Sequence, residues 1–394
     1  MIRIPSRSVR RSRGTILPIV ALLMVVFIGM LGFAVDLGRM AVCHTQLQTA
    51  ADSAALAGAS ALGTDGMILP AWSYDQTTDI ASAQALAQKF GQGNGYDMNG
   101  QNPIIINKTS DVTAGLLSSP YSPSSSFTTS GANSPFNAVR VRTYIDGDHG
   151  GNLNFLFAPV LNQRTTTLQA TSTAVVQLFQ ISSLQAIGGL RCPILPITMS
   201  LSDWRKMVNN QTGLDNFNYN QATNQVVCGP DGLQEQQLYP GSNGTSSNNG
   251  LLQFGTSSRS NSVLSDEIIN GPDSTQMTTQ WPPNGSPPWN SQHSFTMGAD
   301  PGWRATNFDS LAQAVGQVRV IPINDGTSPG GGSNGTYTIV MLAPVRILSS
   351  VKGGNGKGSA IVQAAVISDP TVVASQTTLA TAGQGGVPVV RLAD

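Results

Sequence analysis

Few residues in this sequence are of types that carry chemistry, and their spacing limits what they could do. The histidines are His44, His149 and His293, with no His-Glu-x-x-His and no Cys-x-x-Cys, so a zinc site lacks its usual ligand spacing. A serine hydrolase would need one of these histidines beside a nucleophile, and no Gly-x-Ser-x-Gly elbow is expected to supply it. Lys352-Gly353-Gly354-Asn355-Gly356-Lys357-Gly358 misses the spacing of a phosphate loop and reads as a hairpin loop. Asp146-Gly147-Asp148-His149-Gly150 could offer oxygens to calcium, but the twelve-residue EF-hand pattern is not met. Lying between two strand-like runs, it reads as a tight turn. Asp266 and Glu267 are sequence neighbours and read as solvated, not as an acid/base pair. No catalytic, cofactor-binding or metal-binding residue is therefore assigned, no small-molecule substrate is inferred, and an enzyme is not expected.

The three cysteines are Cys43, Cys192 and Cys228. If the latter two lie outside the cytoplasm, an oxidising compartment would allow a bridge between them. Closing that loop would contribute up to ~4 kcal/mol in the chain-entropy model. Spacing does not establish the pairing. Cys43 is left over and reads as a buried free thiol; a bridge between neighbouring chains is the alternative.

The elements that would carry these residues begin with a membrane span. Arg3, Arg7, Arg10, Arg11 and Arg13 precede Asp36, the first acidic residue, and no formal charge lies between Arg13 and Asp36. As a helix, the apolar run 16–35 would be roughly 30 Å long, one hydrocarbon core. Clustered arginines resist translocation, which places residues 1–14 in the cytoplasm and everything after the span across the membrane. Two processed forms compete with an uncleaved anchor. Gly32-Phe33-Ala34 offers a small-x-small signal-peptidase site, although the apolar run is longer than a signal peptide usually has. Gly14 is placed for prepilin-type cleavage, but Ile19 stands where such leaders usually carry glutamate.

Composition favours strands, turns and polar loops. The 394 residues include 42 Gly and 23 Pro, only 11% are charged, and Glu235 and Glu267 are the only glutamates. Glycine and proline weaken helix interiors, while Asn and Ser favour turns. The chain is formally neutral, but without the five N-terminal arginines 16 basic side chains face 21 acidic ones. A net-acidic bulk argues against nucleic-acid binding, which wants clustered positive charge.

After Asp36 the helical pattern continues to about Gly63. Leu37, Met40, His44, Leu47, Ala51, Ala54, Ala55, Gly58 and Leu62 share one side, with Val42, Gln46, Thr49, Ser53 and Ser60 opposite. The small residues from Ala50 to Ala61 invite close approach of another backbone. A short helix is predicted over 78–90, followed by strands at 104–107, 138–145, 154–157 and 165–177. The alternation in Asn137–Arg142 is that of a half-buried strand. After Ile181 short strands are predicted at 192–198, 225–228, 318–323, 336–342 and 360–367, separated by long loops at 240–262 and 270–302. Pro282-Pro283 and Pro287-Pro288, near Trp281 and Trp289, could mimic a polyproline segment but read better as an ordered surface loop.

The segments Arg13-Gly14, Gly32–Arg39 (with Asp36-Leu37-Gly38-Arg39) and Gln46–Ala59 (with Gln48-Thr49-Ala50-Ala51-Asp52) form a continuous signature. It resembles the N-terminal region of the TadG-like proteins of the tight-adherence (Flp) pilus-assembly system. Asn137–Arg142, Phe155–Val160 and Thr171–Val176 also resemble that family's first exported domain, so the likeness covers about residues 10–180. TadG-like proteins often carry a von Willebrand factor A domain, whose metal site needs Asp-x-Ser-x-Ser; that motif is absent here.

The expected fold is α+β, with a basic segment 1–14, an anchor 15–35 and a TadG-like domain 36–180 in which the extended helix packs on an antiparallel sheet. A mostly β domain 181–370 and a tail 371–394 would follow. The expected function is non-enzymatic: assembly or anchoring of a tight-adherence pilus at the inner membrane, with other pilus-assembly proteins met through the 36–62 helix. A minor pilin-like subunit cut after Gly14, or a tethered binding or hydrolase domain, is the alternative.

Overall fold

The computed structural model describes residues 16–63, 65–69, 76–97, 100, 102–118, 125–129, 135–185, 187–239, 249–254, 260–277, 294–300, 302–326, 335–353, 358–380 and 384–393. The N-terminal arginines, Gly14, the Pro282–Pro288 segment and His293 lie outside them. The chain divides into two compact units, residues 1–54, 88–112 and 141–172 forming one and residues 55–87, 113–140 and 173–394 the other. The folded part is of the mixed α+β type, with open sheets.

The first unit is organised by helix α1 (Ile16–Ser60), 45 residues long. Pro18 falls in its first turn, where the missing N–H is harmless, and no later proline interrupts it. Apart from Gly32, every residue from Pro18 to Val35 is exposed. This stretch is apolar and long enough to cross a membrane, with a mean hydropathy of 2.7 over its 18-residue window. Further along, Cys43, Leu47, Ala50, Ala51 and Ala54 are fully buried, a stripe spaced as one helix face requires. Of the expected stripe, Leu47, Ala51, Ala54, Ala55, Gly58 and Leu62 are buried, but nearer the apolar run the buried side is rotated: Leu37 and His44 are exposed and Met40 is half-buried, while Asp36 and Cys43 are inside. Ser53, expected on the open side, is half-buried and accepts a hydrogen bond from Asn94 Nδ2 (3.0 Å).

Helix α2 (Gln76–Gln92) replaces the predicted 78–90 helix, and its last turn belongs to this unit. A Cβ added to Gly91 would stand 2.1 Å from Cδ1 of Ile106 and 3.0 Å from the Cβ of Ala54, so glycine is required where α1, α2 and Ile106 meet. The predicted strand at 104–107 is not formed; the nearest ladder lies earlier, between Gly95–Tyr96 and Asn102–Pro103. Ile104 and Ile106 are buried and Ile105 is exposed, so the alternation reported burial, not sheet hydrogen bonding. The predicted strand at 154–157 shrinks to Leu153–Asn154, paired with Thr165–Thr166 in a hairpin whose tip is a 3-10 turn, Ala158–Leu161.

In the second unit, a seven-stranded sheet runs Glu235–Tyr239, Gly358–Ala364, Thr336–Lys352, Phe295–Asp300, Leu251–Leu252, with Val318–Asn324 also paired to Thr336–Lys352 and Met199–Ser200 added in parallel. The strand predicted at 192–198 is absent, apart from single bridges at Ile194 and Ile197. Three helices that the reading of 181–370 as mostly β had missed are α3 (Leu201–Val208), α4 (Asn261–Asn270) and α5 (Ala305–Gln313). Ser200 caps α3 by accepting from Asp203 N, and Ser260 caps α4 by accepting from Val263 N. Trp204, Phe308, Leu311 and Ile321 are buried together in the main core of this unit.

Residues 371–394 are not a tail. Val372–Leu379 and Val387–Leu392 both pair antiparallel with Leu168–Leu184, whose 17 residues are long enough to hold two partners in succession. They belong to a six-stranded sheet that also holds Ala138–Ile145, Val112–Leu117 and Phe127–Thr128. Pro388 is tolerated because its strand has a single paired edge.

Candidate functional site

In the first unit, the turn of α1 just past the apolar run gathers the polar residues of the signature. Asp36 is 2% exposed although it borders the apolar stretch. Its carboxylate accepts the backbone N–H of Leu156 (2.8 Å), Phe157 (3.0 Å) and Ala158 (2.7 Å) from the hairpin tip. Burial pushes this carboxyl up, but the three N–H donors and the charge of Arg39 outweigh burial and hold it below its ordinary 3.8. One turn on, Arg39 presents its fork to Asp97, Nε to Oδ1 at 3.0 Å and Nη2 to Oδ2 at 2.7 Å. Its remaining amino group, Nη1, donates to the carbonyl of Asn154. The hydrogen bond to Asp97 raises the Arg39 pKa further. Asp97 sits at φ 79°, in the left-handed region. Gln46 holds it there, accepting from Asp97 N (2.9 Å) and donating to Asp97 O (3.1 Å).

The hairpin tip is apolar and uncovered. Leu156, Phe157, Val160 and Leu161 are 59%, 49%, 88% and 72% exposed. A Cβ on Gly32 would lie 2.8 Å from the Cβ and Cγ of Phe157, so glycine alone permits this approach to the helix. A cleft of about 420 Å³ opens between Val25, Ile28 and Phe33 of α1 and Phe157, Val160 and Leu161 of the tip.

At the other end of the Ala138–Ile145 strand, the Asp146–Gly150 segment is a tight turn. Asp146 Oδ1 accepts the N–H of Asp148 and His149 (both 3.0 Å). His149 is clamped between Asp146 Oδ1 (Nδ1, 2.7 Å) and Asp111 Oδ2 (Nε2, 3.1 Å) and stacks on Tyr144, ring centroids 4.8 Å apart. Burial opposes its charge, but the two carboxylates win and raise its pKa above 6.5. Among the described residues, no group of three His, Cys, Asp or Glu is placed to hold a metal.

The second unit's acidic groups are held by its own side chains and backbone. Glu267, expected to be solvated, is buried: it sits on the inner face of α4 and accepts from Gln276 Nε2 (2.8 Å), while Asp266 on the outer face pairs with Arg191. Glu235 accepts from Asn216 N (2.8 Å) and Phe217 N (2.6 Å), and burial pushes its carboxyl up. Asp215 accepts from Asp231 N and Gly232 N. Gly331-Gly332-Ser333-Asn334-Gly335 spells a serine-elbow pattern, but it leads into the strand Thr336–Lys352, whereas that elbow must open a helix. Cys192 and Cys228 are free thiols, the first buried and the second exposed, so the bridge that an oxidising compartment would allow is not formed. Burial pushes the Cys192 thiol up to about 11. Cys43 is a buried free thiol, and burial raises its pKa too.

Residues 14–61 match the family model described as Flp pilus-assembly TadE/G-like, and residues 70–174 the one described as Tad-like Flp pilus-assembly. Over residues 14–174 the chain is TadG-like. No curated protein and no solved structure matches it. Asp36, Arg39, Gln46, Asp97, Asn154 and the Leu156–Ala158 amides all fall within the TadG-like stretch. The sequence singles out Asp36, Arg39 and the Phe155–Val160 segment, but not Asp97, and not that these residues meet. Asp97 lies 58 residues from Arg39 and Leu156 lies 120 from Asp36, and no local pattern announces such pairs.

Proposed function

We propose that this protein is a non-enzymatic, single-pass component of the cell envelope that serves assembly or anchoring of a tight-adherence (Flp) pilus. In this reading residues 1–14 stay in the cytoplasm, the start of α1 spans the inner membrane, and the bulk of the chain stands outside the cytoplasm. The observation that carries the reading is the join, in one chain, of two adjoining pilus-assembly matches to a helix apolar enough to span a bilayer. Beyond the span, the helix uses its small side chains for close packing, on Gly91 at Ala54 in the first unit and on Ala83 and Ala87 at Gly58 in the second. Packing of the helix on the sheet is part of this proposal, supported by the hydrogen bond from Thr143 Oγ1 to Leu47 O (3.0 Å). Other pilus-assembly proteins would then meet the faces of the 36–62 helix left open, among them Leu37, Val42, His44 and Thr49. No nucleic acid and no small-molecule substrate enters the mechanism.

The test uses a host that makes such a pilus. Deleting the gene should abolish surface pili, and the full chain should restore them while remaining in carbonate-washed membranes. A reporter at the C-terminus should be active only outside the cytoplasm. Restoration by a form lacking residues 1–35, or recovery of the full chain in the soluble fraction, would overturn the proposal.

A further inference from the structure

We propose that the hairpin tip Phe155–Leu161 is a second membrane element, which inserts beside α1 into the leaflet nearest the folded units and takes phospholipid acyl chains into the cleft between them. The inference rests on α1 crossing the membrane. Phe157 stands against Gly32, four residues before Asp36 and so roughly 6 Å deeper along the helix axis. Interfacial elements bury their apolar faces by about 5–10 Å, the same range. A side chain at that level lies beside lipid, not water, on any span that ends near Asp36.

Three further observations fit this occupant. No charged side chain occurs between His149 and Arg164, so nothing in the tip resists insertion. The tip exposes four large apolar side chains, with Val160 the most open at 88%. A soluble loop has no reason to keep such a set, whereas a lipid-facing one does. The backbone N–H groups of residues 156–158, 160 and 162 are also provided for. Irregular chain in hydrocarbon is tolerated only when its N–H and C=O groups are satisfied internally. Here Leu156, Phe157 and Ala158 donate to Asp36, Pro159 has no N–H, Val160 donates to Phe157 O, and Asn162 to Pro159 O. The buried carboxylate at the edge of the span thereby gains a purpose: it supplies the acceptors that water cannot supply at that depth.

The experiment uses the full chain in phosphatidylglycerol/phosphatidylethanolamine vesicles, with Cys228→Ser to remove the exposed thiol. An environment-sensitive fluorophore is attached at Val160→Cys, at Val25→Cys within the span, and at Gln169→Cys as an exposed control. The label at 160 should be quenched by nitroxides on the lipid chains and be several-fold less accessible to aqueous iodide than the label at 169. Full iodide access at 160, with quenching by lipid nitroxides retained at 25, would overturn the inference and leave the anchor standing. Shielding from iodide without lipid quenching would also overturn it, because protein would then cover the tip. Loss of lipid quenching at 25 would remove the anchor reading itself.

Discussion

Replacing Ala54 by leucine tests whether the buried stripe of α1 is a packing face in fact. Ala54 is fully buried, and a Cβ at Gly91 would already stand 3.0 Å from its methyl group, so the first unit has no room at this position for three more carbons. Overpacking of this kind usually costs about 1–3 kcal/mol. Ser60 is the control: it is exposed, its hydroxyl bonds only to Ala57 O, and exposed changes generally stay within about 0.5 kcal/mol. Ser53, which the sequence placed beside Ser60, cannot serve, because leucine there would break its hydrogen bond with Asn94. For a unit the size of the first, 1 kcal/mol moves the melting midpoint by about 4 °C. Ala54→Leu should therefore lower the midpoint by roughly 4–12 °C and Ser60→Leu by less than about 2 °C. Far-ultraviolet circular dichroism of the detergent-solubilised chain gives the midpoint, and protease resistance gives an independent ranking. Equal midpoints for the two variants would refute the packing assignment.

Four other outcomes follow from the geometry. Arg39→Ala should destabilise the first unit by about 1.5–3 kcal/mol, the usual worth of hydrogen bonds to charged groups; Arg39→Lys should recover only part, since an ammonium cannot reproduce the fork on Asp97 in chemical denaturation. The charged His149 clamp should be complete below about pH 6.5 and fade as pH rises through the raised folded pKa; in pH-dependent melts His149→Phe, which keeps a ring to stack on Tyr144, should remove that alkaline decline. A maleimide should label Cys228 in the native protein and reach Cys43 and Cys192 only after denaturation, as mass spectrometry would read. Gly38→Ala should raise stability by up to about 1 kcal/mol from helix propensity, because nothing lies within 4 Å of that Cβ, so pilus loss in this variant would point to a partner's close approach there.

What could be read from the sequence was whatever is local. The alternation from Ala138 to Ile145 gave that strand to the residue, because one face is buried and the period is two. The apolar helix and its continuation were legible because charge is absent until Asp36 and small residues recur at helical spacing after it. The short helices α3 and α4 were hidden by their polar composition, although Ser200 with Asp203 three residues on carries a capping signal. The final strands were missed because Pro388 and the glycines before it suggested a tail, and an edge strand tolerates both. The clasp was half legible. Spacing shows that Asp36 and Arg39 share one side of the helix, three residues apart, but the partners are chosen by tertiary folding.

That choice explains why two charges of opposite sign stand where the apolar run ends. Asp36 binds the amides of Leu156 to Ala158, and Arg39 binds the carbonyl of Asn154. One helical turn therefore grips both the base and the tip of the same hairpin arm. Either contact alone would let the arm pivot; the two together fix its angle to the helix axis. Arg39 also reaches Asp97, whose left-handed backbone is pinned by Gln46 two turns further along α1. The helix thus contributes three polar residues, at 36, 39 and 46, that hold two separate loops against it, and none of the three is left over for solvent or for catalysis. A signature built this way is a structural joint: it sets where the hairpin arm and the Asp97 loop sit at the end of the apolar helix, and a change at any of the three residues should be felt by the other two.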